Sequence, residues 1–105
     1  MKAQVQKENG SLTVTVSGEI NTITTPQLAL VVEDLRGVER LIFDLEQVRY
    51  VSSAGLRLFL GCQRDMMAQR GEMVIRNCNE FVRETFESVG YDRIMRLEPE
   101  SRANG

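Results

Sequence analysis

The sequence predicts a single small α/β domain built on a mixed, mostly parallel sheet. Short apolar runs alternate with stripes at helical spacing, and the length of 105 residues suits one domain. Strands that alternate with helices of about 10–17 residues imply right-handed crossovers and parallel pairing. The expected element order is β-β-α-β-α-β-α-β, and residues 1–97 are expected to form the domain.

A β-hairpin is expected at the start of the chain. Residues 3–7 and 12–16 alternate between polar and apolar side chains, which is the period of a strand with one buried face. Asn9 and Gly10 lie between these runs, and both residue types tolerate the positive φ of a tight turn. A loop is expected over residues 18–25.

The first helix is expected to begin at a threonine N-cap, with Pro26 at the first helical position. Gly37 is a suitable C-cap, because it follows an apolar stripe at helical spacing that consists of Leu28, Val31, Val32 and Leu35. The continuous apolar run at residues 41–45 then predicts a central strand.

The longest helix is expected over residues 53–70, where a broad apolar arc indicates deep packing. Gly61 lies inside it at a cost of about 1 kcal/mol relative to alanine, and close approach of a neighbouring backbone is one explanation. Cys62 and Cys78 are expected to be small buried side chains.

The rest of the chain predicts one more strand–helix–strand unit. Residues 72–76 form a strand, Asn79 caps a third helix, Gly90 closes it, and residues 94–97 form an edge strand. Residues 98–105 are polar and are expected to be a flexible C-terminal tail.

Composition excludes several classes of chemistry. The chain has 0 His and 2 Cys, which removes Ser-His-Asp and Cys-His catalysis, imidazole bases, metal sites with a His ligand and four-cysteine zinc sites. With 42% hydrophobic and 27% charged residues it has the balance of a soluble globular protein. We therefore expect no catalytic residues, no metal and no cofactor, so that the protein is not an enzyme.

Charge and hydropathy also limit the expected partners. The formal net charge is -2 with the two signs interleaved, so there is no basic stripe for nucleic acid. No 18 consecutive apolar residues are present to span a membrane, and the N-terminus lacks the apolar run of a signal peptide. Together with the unpaired thiols, this favours a cytoplasmic protein.

Two loops are expected to converge at the carboxyl edge of the sheet, where α/β proteins place their sites. They are residues 18–25 and residues 48–55, and the second carries Ser52 and Ser53 at a helix start. Helix capping is the common role of serine at such a position. Exposed N–H groups and the helix dipole favour an anion at the same place.

The surroundings of Ser53 favour a modification site. Ala54 and Gly55 are small and leave the hydroxyl uncovered, and Arg57 lies one turn along on the same helix face. A phosphoserine at position 53 would carry nearly two negative charges within reach of the helix amides and of Arg57.

Several segments resemble the STAS domain, the family of bacterial anti-sigma factor antagonists. Residues 48–57 (VRYVSSAGLR) are similar to its signature, and residues 18–21 with Thr25-Pro26 resemble its earlier motif. Residues 42–45 and 71–75 are similar to two of its strands. The resemblance runs in the family's order from about Val5 to Leu97.

The resemblance implies a partner-switching function. A cognate anti-sigma serine kinase would phosphorylate Ser53; the unphosphorylated form would bind this anti-sigma factor and free the sigma factor, and phosphorylation would break the complex. A PP2C-type phosphatase is a further implied partner. The implied partner-binding residues are Asn21, Thr22, Ser52, Ser53, Ala54, Gly55 and Arg57.

The chain departs from the family at two positions, because Ser52 and Asn21 stand where aspartate is common. Two fewer acidic groups reduce repulsion of a phosphate and can alter the positioning of the kinase. These departures keep open a second interpretation, a non-switching STAS adaptor or scaffold subunit of a larger regulatory or transport complex.

A third interpretation is a nucleotide-binding or small-molecule enzyme with its site at the same helix start. Against it stand the missing Gly-rich phosphate loop with its lysine and the missing acidic cluster for Mg²⁺. A receiver domain is disfavoured as well, because Asn21 stands where an early acidic pair is needed and no lysine follows Lys7.

Overall fold

In a computed structural model of the chain, which describes residues 1–98, five strands lie side by side in sequence order. The first pair is antiparallel and the other three pairs are parallel. The elements are β1 (Lys2–Glu8), β2 (Ser11–Ile20), α1 (Thr25–Val31), β3 (Arg40–Val51), α2 (Ser53–Ala68), β4 (Glu72–Arg76), α3 (Glu80–Ser88), a 3-10 turn (Tyr91–Arg93) and β5 (Arg96–Leu97). The predicted fold class and element order are confirmed.

The predicted hairpin is also confirmed. Glu8 pairs with Ser11 across the turn, and the two residues between them have positive φ, 50° at Asn9 and 85° at Gly10. A two-residue turn of this kind matches the twist of its strands and sets the register of β1 on β2.

All three helices pack on one face of the sheet, because successive right-handed crossovers run in the same direction. The centre of this core is an aromatic cluster of fully buried rings from β3, α2 and α3. The ring centroids of Phe43 and Phe59 lie 4.8 Å apart in a T-shaped arrangement, and those of Phe59 and Phe86 lie 5.5 Å apart. Phe59 of α2 therefore packs against both the central strand β3 and the helix α3.

The opposite face of the sheet carries no helix in the described part of the chain, yet Ile42 and Val74 are only 4% and 0% exposed there. These two residues pair across β3 and β4 in the middle of an ion-pair network. Long charged side chains can shield apolar neighbours in this way. The network consists of Arg40, Arg76 and Arg96 with Glu72 and Glu98.

Helix α1 is shorter than predicted and ends at Val31, well before Gly37. The carboxylate of Asp34 accepts hydrogen bonds from the backbone N–H and the guanidinium of Arg36, which stabilise a turn instead of a helix. Leu35 is still buried, so the apolar stripe reaches the core through a turn.

Strands β2 and β3 are longer than predicted, and this shortens both predicted loops. Strand β3 continues past residue 45 because its polar residues still pair with β2, with register shifts near Ser17 and Glu19. As a result, β3 runs to Val51 and a single residue, Ser52, separates it from α2.

The predicted N-caps of α1 and α3 are found, whereas the predicted reason for a glycine inside α2 is not. Asn79 caps α3 as expected, its side-chain oxygen accepting from the N–H of Val82 at 2.8 Å. The threonine N-cap of α1 is Thr24, which puts Pro26 at the second helical position. The explanation offered for Gly61 is wrong, because a Cβ atom there would meet no heavy atom within 4 Å.

At the C-terminus, Glu98 is held in place: its N–H donates to the carbonyl of Ile75 at 2.8 Å and its carboxylate joins the ion-pair network. The rest of the predicted tail, residues 99–105, lies outside the described residues. No helix within residues 1–98 is both long and apolar enough to cross a bilayer.

Replacing Phe59 by alanine should lower the free energy of unfolding by about 3–5 kcal/mol, because it removes a fully buried ring from the centre of the core. Met67→Ala on the same helix is the control; its side chain is 63% exposed and the change should stay within about 0.5 kcal/mol. Chemical denaturation measures both. Equal effects would contradict the assigned core.

Cys62 should resist alkylation in the folded protein. Burial raises the pKa of its thiol to about 12, since an apolar site disfavours the thiolate, and Cys78 is also buried. Iodoacetamide at pH 8 should therefore leave both cysteines unmodified until denaturant is added, as followed by intact-mass spectrometry. Rapid labelling without denaturant would contradict this burial.

Candidate functional site

A backbone hydrogen bond links the end of β2 to the N-cap of α2. The backbone N–H of Ser52 donates to the carbonyl of Ile20 at 2.8 Å, which continues the pairing of Ile20 with Val51. Asn21 and Ser52, each the first residue after its strand, therefore lie next to each other at the carboxyl edge of the sheet.

Gly55 allows the first turn of α2 to sit tightly on these strand ends. The residue is buried, and a Cβ atom at this position would lie 2.7 Å from Cγ2 of Ile20 and 3.0 Å from Cγ1 of Val51. Real Cβ atoms do not approach other carbons so closely. Glycine at position 55 is therefore required by packing, and its contribution to the site is to bring α2 against β2.

The two adjacent serines have different environments. Ser52 is the N-cap of α2, and its half-buried hydroxyl accepts from the N–H of Gly55 at 3.4 Å. Ser53 is the first helical residue and is exposed, and its hydroxyl has no hydrogen-bond partner among residues 1–98. Ser52 thus serves the helix, while Ser53 is available to a partner molecule.

The loop between β2 and α1 is held by its own side chains. The Asn21 side-chain oxygen accepts from the N–H groups of Ile23 at 2.9 Å and Thr24 at 3.0 Å. The Thr24 hydroxyl accepts from the N–H of Asn21 at 2.9 Å and donates to the carbonyl of Glu19 at 2.7 Å. Asn21, predicted as a partner-binding residue, is half-buried and organises the loop from within.

This rigid loop presents an apolar side chain that the sequence analysis did not single out. Ile23 is 81% exposed, and next to it Thr22 is exposed as well. Tyr50, two residues before the N-cap of α2, is 44% exposed. The available signal was an aliphatic residue between threonines in a predicted loop. Apolar side chains that are exposed in the free protein are common where an interface forms.

Arg57 lies one turn after Ser53 on the exposed side of α2. It lines a groove of about 310 Å³ between α1 and α2, and it forms no ion pair with the described residues. Ala54 lies between Ser53 and Gly55 and is half-buried. The structure therefore brings all the predicted site residues to one edge of the sheet, namely Asn21, Thr22, Ser52, Ser53, Ala54, Gly55 and Arg57.

This edge offers a hydroxyl, a guanidinium and apolar side chains. Within residues 1–98 there is no group of three His, Cys, Asp or Glu side chains that could hold a metal ion. The arrangement can form an interface, and the exposed Ser53 hydroxyl can accept a phosphoryl group from an external enzyme.

Comparisons with known proteins agree on one family. A family model of the STAS domain matches residues 2–103. BtrV of Bordetella bronchiseptica, which is named as an anti-sigma factor antagonist, is 33% identical over 93 residues, or 87% of this chain and 80% of BtrV. The anti-sigma-B factor antagonist of Staphylococcus aureus is 30% identical over 86 residues, or 80% of each chain.

Among solved structures, the phosphorylated form of the Bacillus cell fate determinant SpoIIAA superposes with a TM-score of 0.74. It is 20% identical, and the match covers 98% of this chain and 96% of SpoIIAA. At this level of identity the similarity shows a shared fold.

Gly55→Ala should lower the free energy of unfolding by about 1–3 kcal/mol, because the new methyl group must displace Ile20 or Val51. Gly61→Ala in the same helix is the matched control and should raise stability by up to about 1 kcal/mol, since its Cβ meets open space. Urea unfolding measures both changes. A neutral G55A variant would contradict the tight contact of α2 with the strand ends.

Proposed function

Because the chain belongs to the STAS domain family, we propose that it is an anti-sigma factor antagonist that binds its partner through the edge around Ser53. The proposal rests on one observation: the Ser53 hydroxyl is exposed, whereas the neighbouring Ser52 hydroxyl accepts a hydrogen bond as the helix N-cap. The names of BtrV and of the Staphylococcus aureus relative support the general role.

The partner is an anti-sigma factor that is also a serine kinase. In the transfer, the γ-phosphoryl group of the kinase's nucleotide passes to Ser53 Oγ, the hydroxyl proton goes to a base of the kinase, and the nucleoside diphosphate leaves. The antagonist needs no catalytic group for this reaction. A phosphatase of the PP2C type would hydrolyse the phosphoserine and restore the binding form.

Phosphorylation would release the partner for an electrostatic reason. A neutral hydroxyl is tolerated in a close interface, whereas a phosphate dianion loses much of its hydration when the partner covers it. A penalty of about 4 kcal/mol would weaken binding on the order of a thousandfold. That SpoIIAA has been solved in unphosphorylated and phosphorylated forms supports a switch of this type in a protein of the same fold.

The contact surface would extend from Ser53 to the neighbouring β2–α1 loop. The backbone at Ile23 is held by hydrogen bonds to the side-chain oxygen of Asn21, so little backbone conformational entropy is lost when a partner covers the exposed side chain. Thr22, next to Ile23 in the same loop, adds exposed polar surface. Release of a sigma factor places this activity in the cytoplasm.

The Ser53→Asp variant should bind the cognate anti-sigma factor at least about tenfold more weakly than the wild type, because it puts a fixed charge into the interface. Ser53→Ala should bind like the wild type, and Ser88→Asp controls for added charge at an exposed serine of α3. Isothermal titration calorimetry measures all three. Full affinity of S53D would contradict the proposal.

Intact-mass analysis of the protein from its native cells should find a fraction that carries one phosphate on Ser53, and S53A should lose it. If Ser53 is never modified and the protein stays in a stable larger complex, the adaptor interpretation is correct instead.

A further inference from the structure

Arg57 is a cation near the start of α2. It is exposed, forms no ion pair with other residues in the part of the chain that the structure describes, and lies four positions after Ser53 in α2. Residues four apart on a helix are neighbours on its surface. The free guanidinium and the free hydroxyl therefore share one small area of the molecule.

We propose that Arg57 is the intramolecular counter-ion of phosphoserine 53, an inference that rests on the proposed modification of Ser53. Because Cα–Cβ bonds in a helix tilt toward its N-terminus, the Arg57 side chain can extend over the turn that holds Ser53. The order of acidic before basic residue is the favourable one for such a pair. The planar guanidinium also matches a phosphate with two parallel hydrogen bonds.

Two acidic residues face the same groove as Arg57, namely Glu33 after α1 and Asp65 in α2. Neither forms an ion pair with Arg57. Each carboxylate carries a single negative charge, whereas a phosphoserine carries nearly two and offers three acceptor oxygens. The phosphate is therefore the stronger competitor for the guanidinium.

Because of this pairing, phosphorylation changes the charge at two positions on the surface that the partner binds. In the unmodified protein, Arg57 presents a positive charge to a partner next to the neutral Ser53. After phosphorylation the phosphate occupies Arg57, so the two positions together change from one positive charge to about one negative charge. The partner meets a new anion and also loses a cation that it could bind.

The test uses the full chain with phosphoserine encoded at position 53, which requires no kinase and no partner protein. Phosphorus NMR follows the titration of the phosphate with pH. Arg57 stabilises the dianion and so lowers the pKa of the phosphate; Arg57→Gln should move the titration midpoint upward by a few tenths of a pH unit, the size expected for one exposed ion pair.

Arg57→Lys should keep most of the wild-type midpoint, because it retains the charge. Arg64→Gln is the matched control, since Arg64 is exposed on the same helix but lies about 16 Å along its axis from Ser53. Circular dichroism verifies that each variant is folded.

Equal midpoints for wild type, R57Q and R64Q would overturn the pairing, and so would an equal upward shift in R57Q and R64Q. These results are independent of the proposed function, which fails separately if Ser53 is never modified in cells.

Discussion

The contact of α2 with the ends of β2 and β3 is the constraint on which the rest of the site depends. It combines the hydrogen bond from Ser52 to Ile20 with the absence of a side chain at Gly55. Because Ser52 is the single residue between β3 and α2, its hydroxyl caps the helix, and Ser53 lies on the exposed side of the first turn. The same contact places the β2–α1 loop beside the helix start.

Local chemistry explains why much of the fold could be predicted from the sequence. Asn9-Gly10 specifies a tight hairpin, and Asn79 specifies a helix start, through hydrogen bonds and dihedral angles within a few residues. The lengths of β2 and β3 depend on partners distant in sequence. Polar residues in β3 are strand residues only because β2 pairs with them through register shifts, and no local pattern contains that information.

The site, too, combines features that a local sequence pattern determines with features that only the folded structure reveals. The position of Ser53 follows from a helix start after a buried strand, which the sequence displays. The internal role of Asn21 depends on its hydrogen bonds with Thr24, and the exposure of Ile23 depends on the loop shape that these bonds create. An isoleucine is read as a core residue by default, and the position of Ile23 between threonines in a predicted loop was the one local sign against this interpretation.

The loop from Asn21 to Thr24 separates the residues that hold its shape from the residues that it displays. Asn21 and Thr24 make all the side-chain hydrogen bonds described for it, and the side chains of Thr22 and Ile23 make none. Positions 22 and 23 can therefore vary in evolution without loss of the fold. In the proposed interface, these two positions are therefore where partner preference can diverge between members of the family while the fold and Ser53 stay the same.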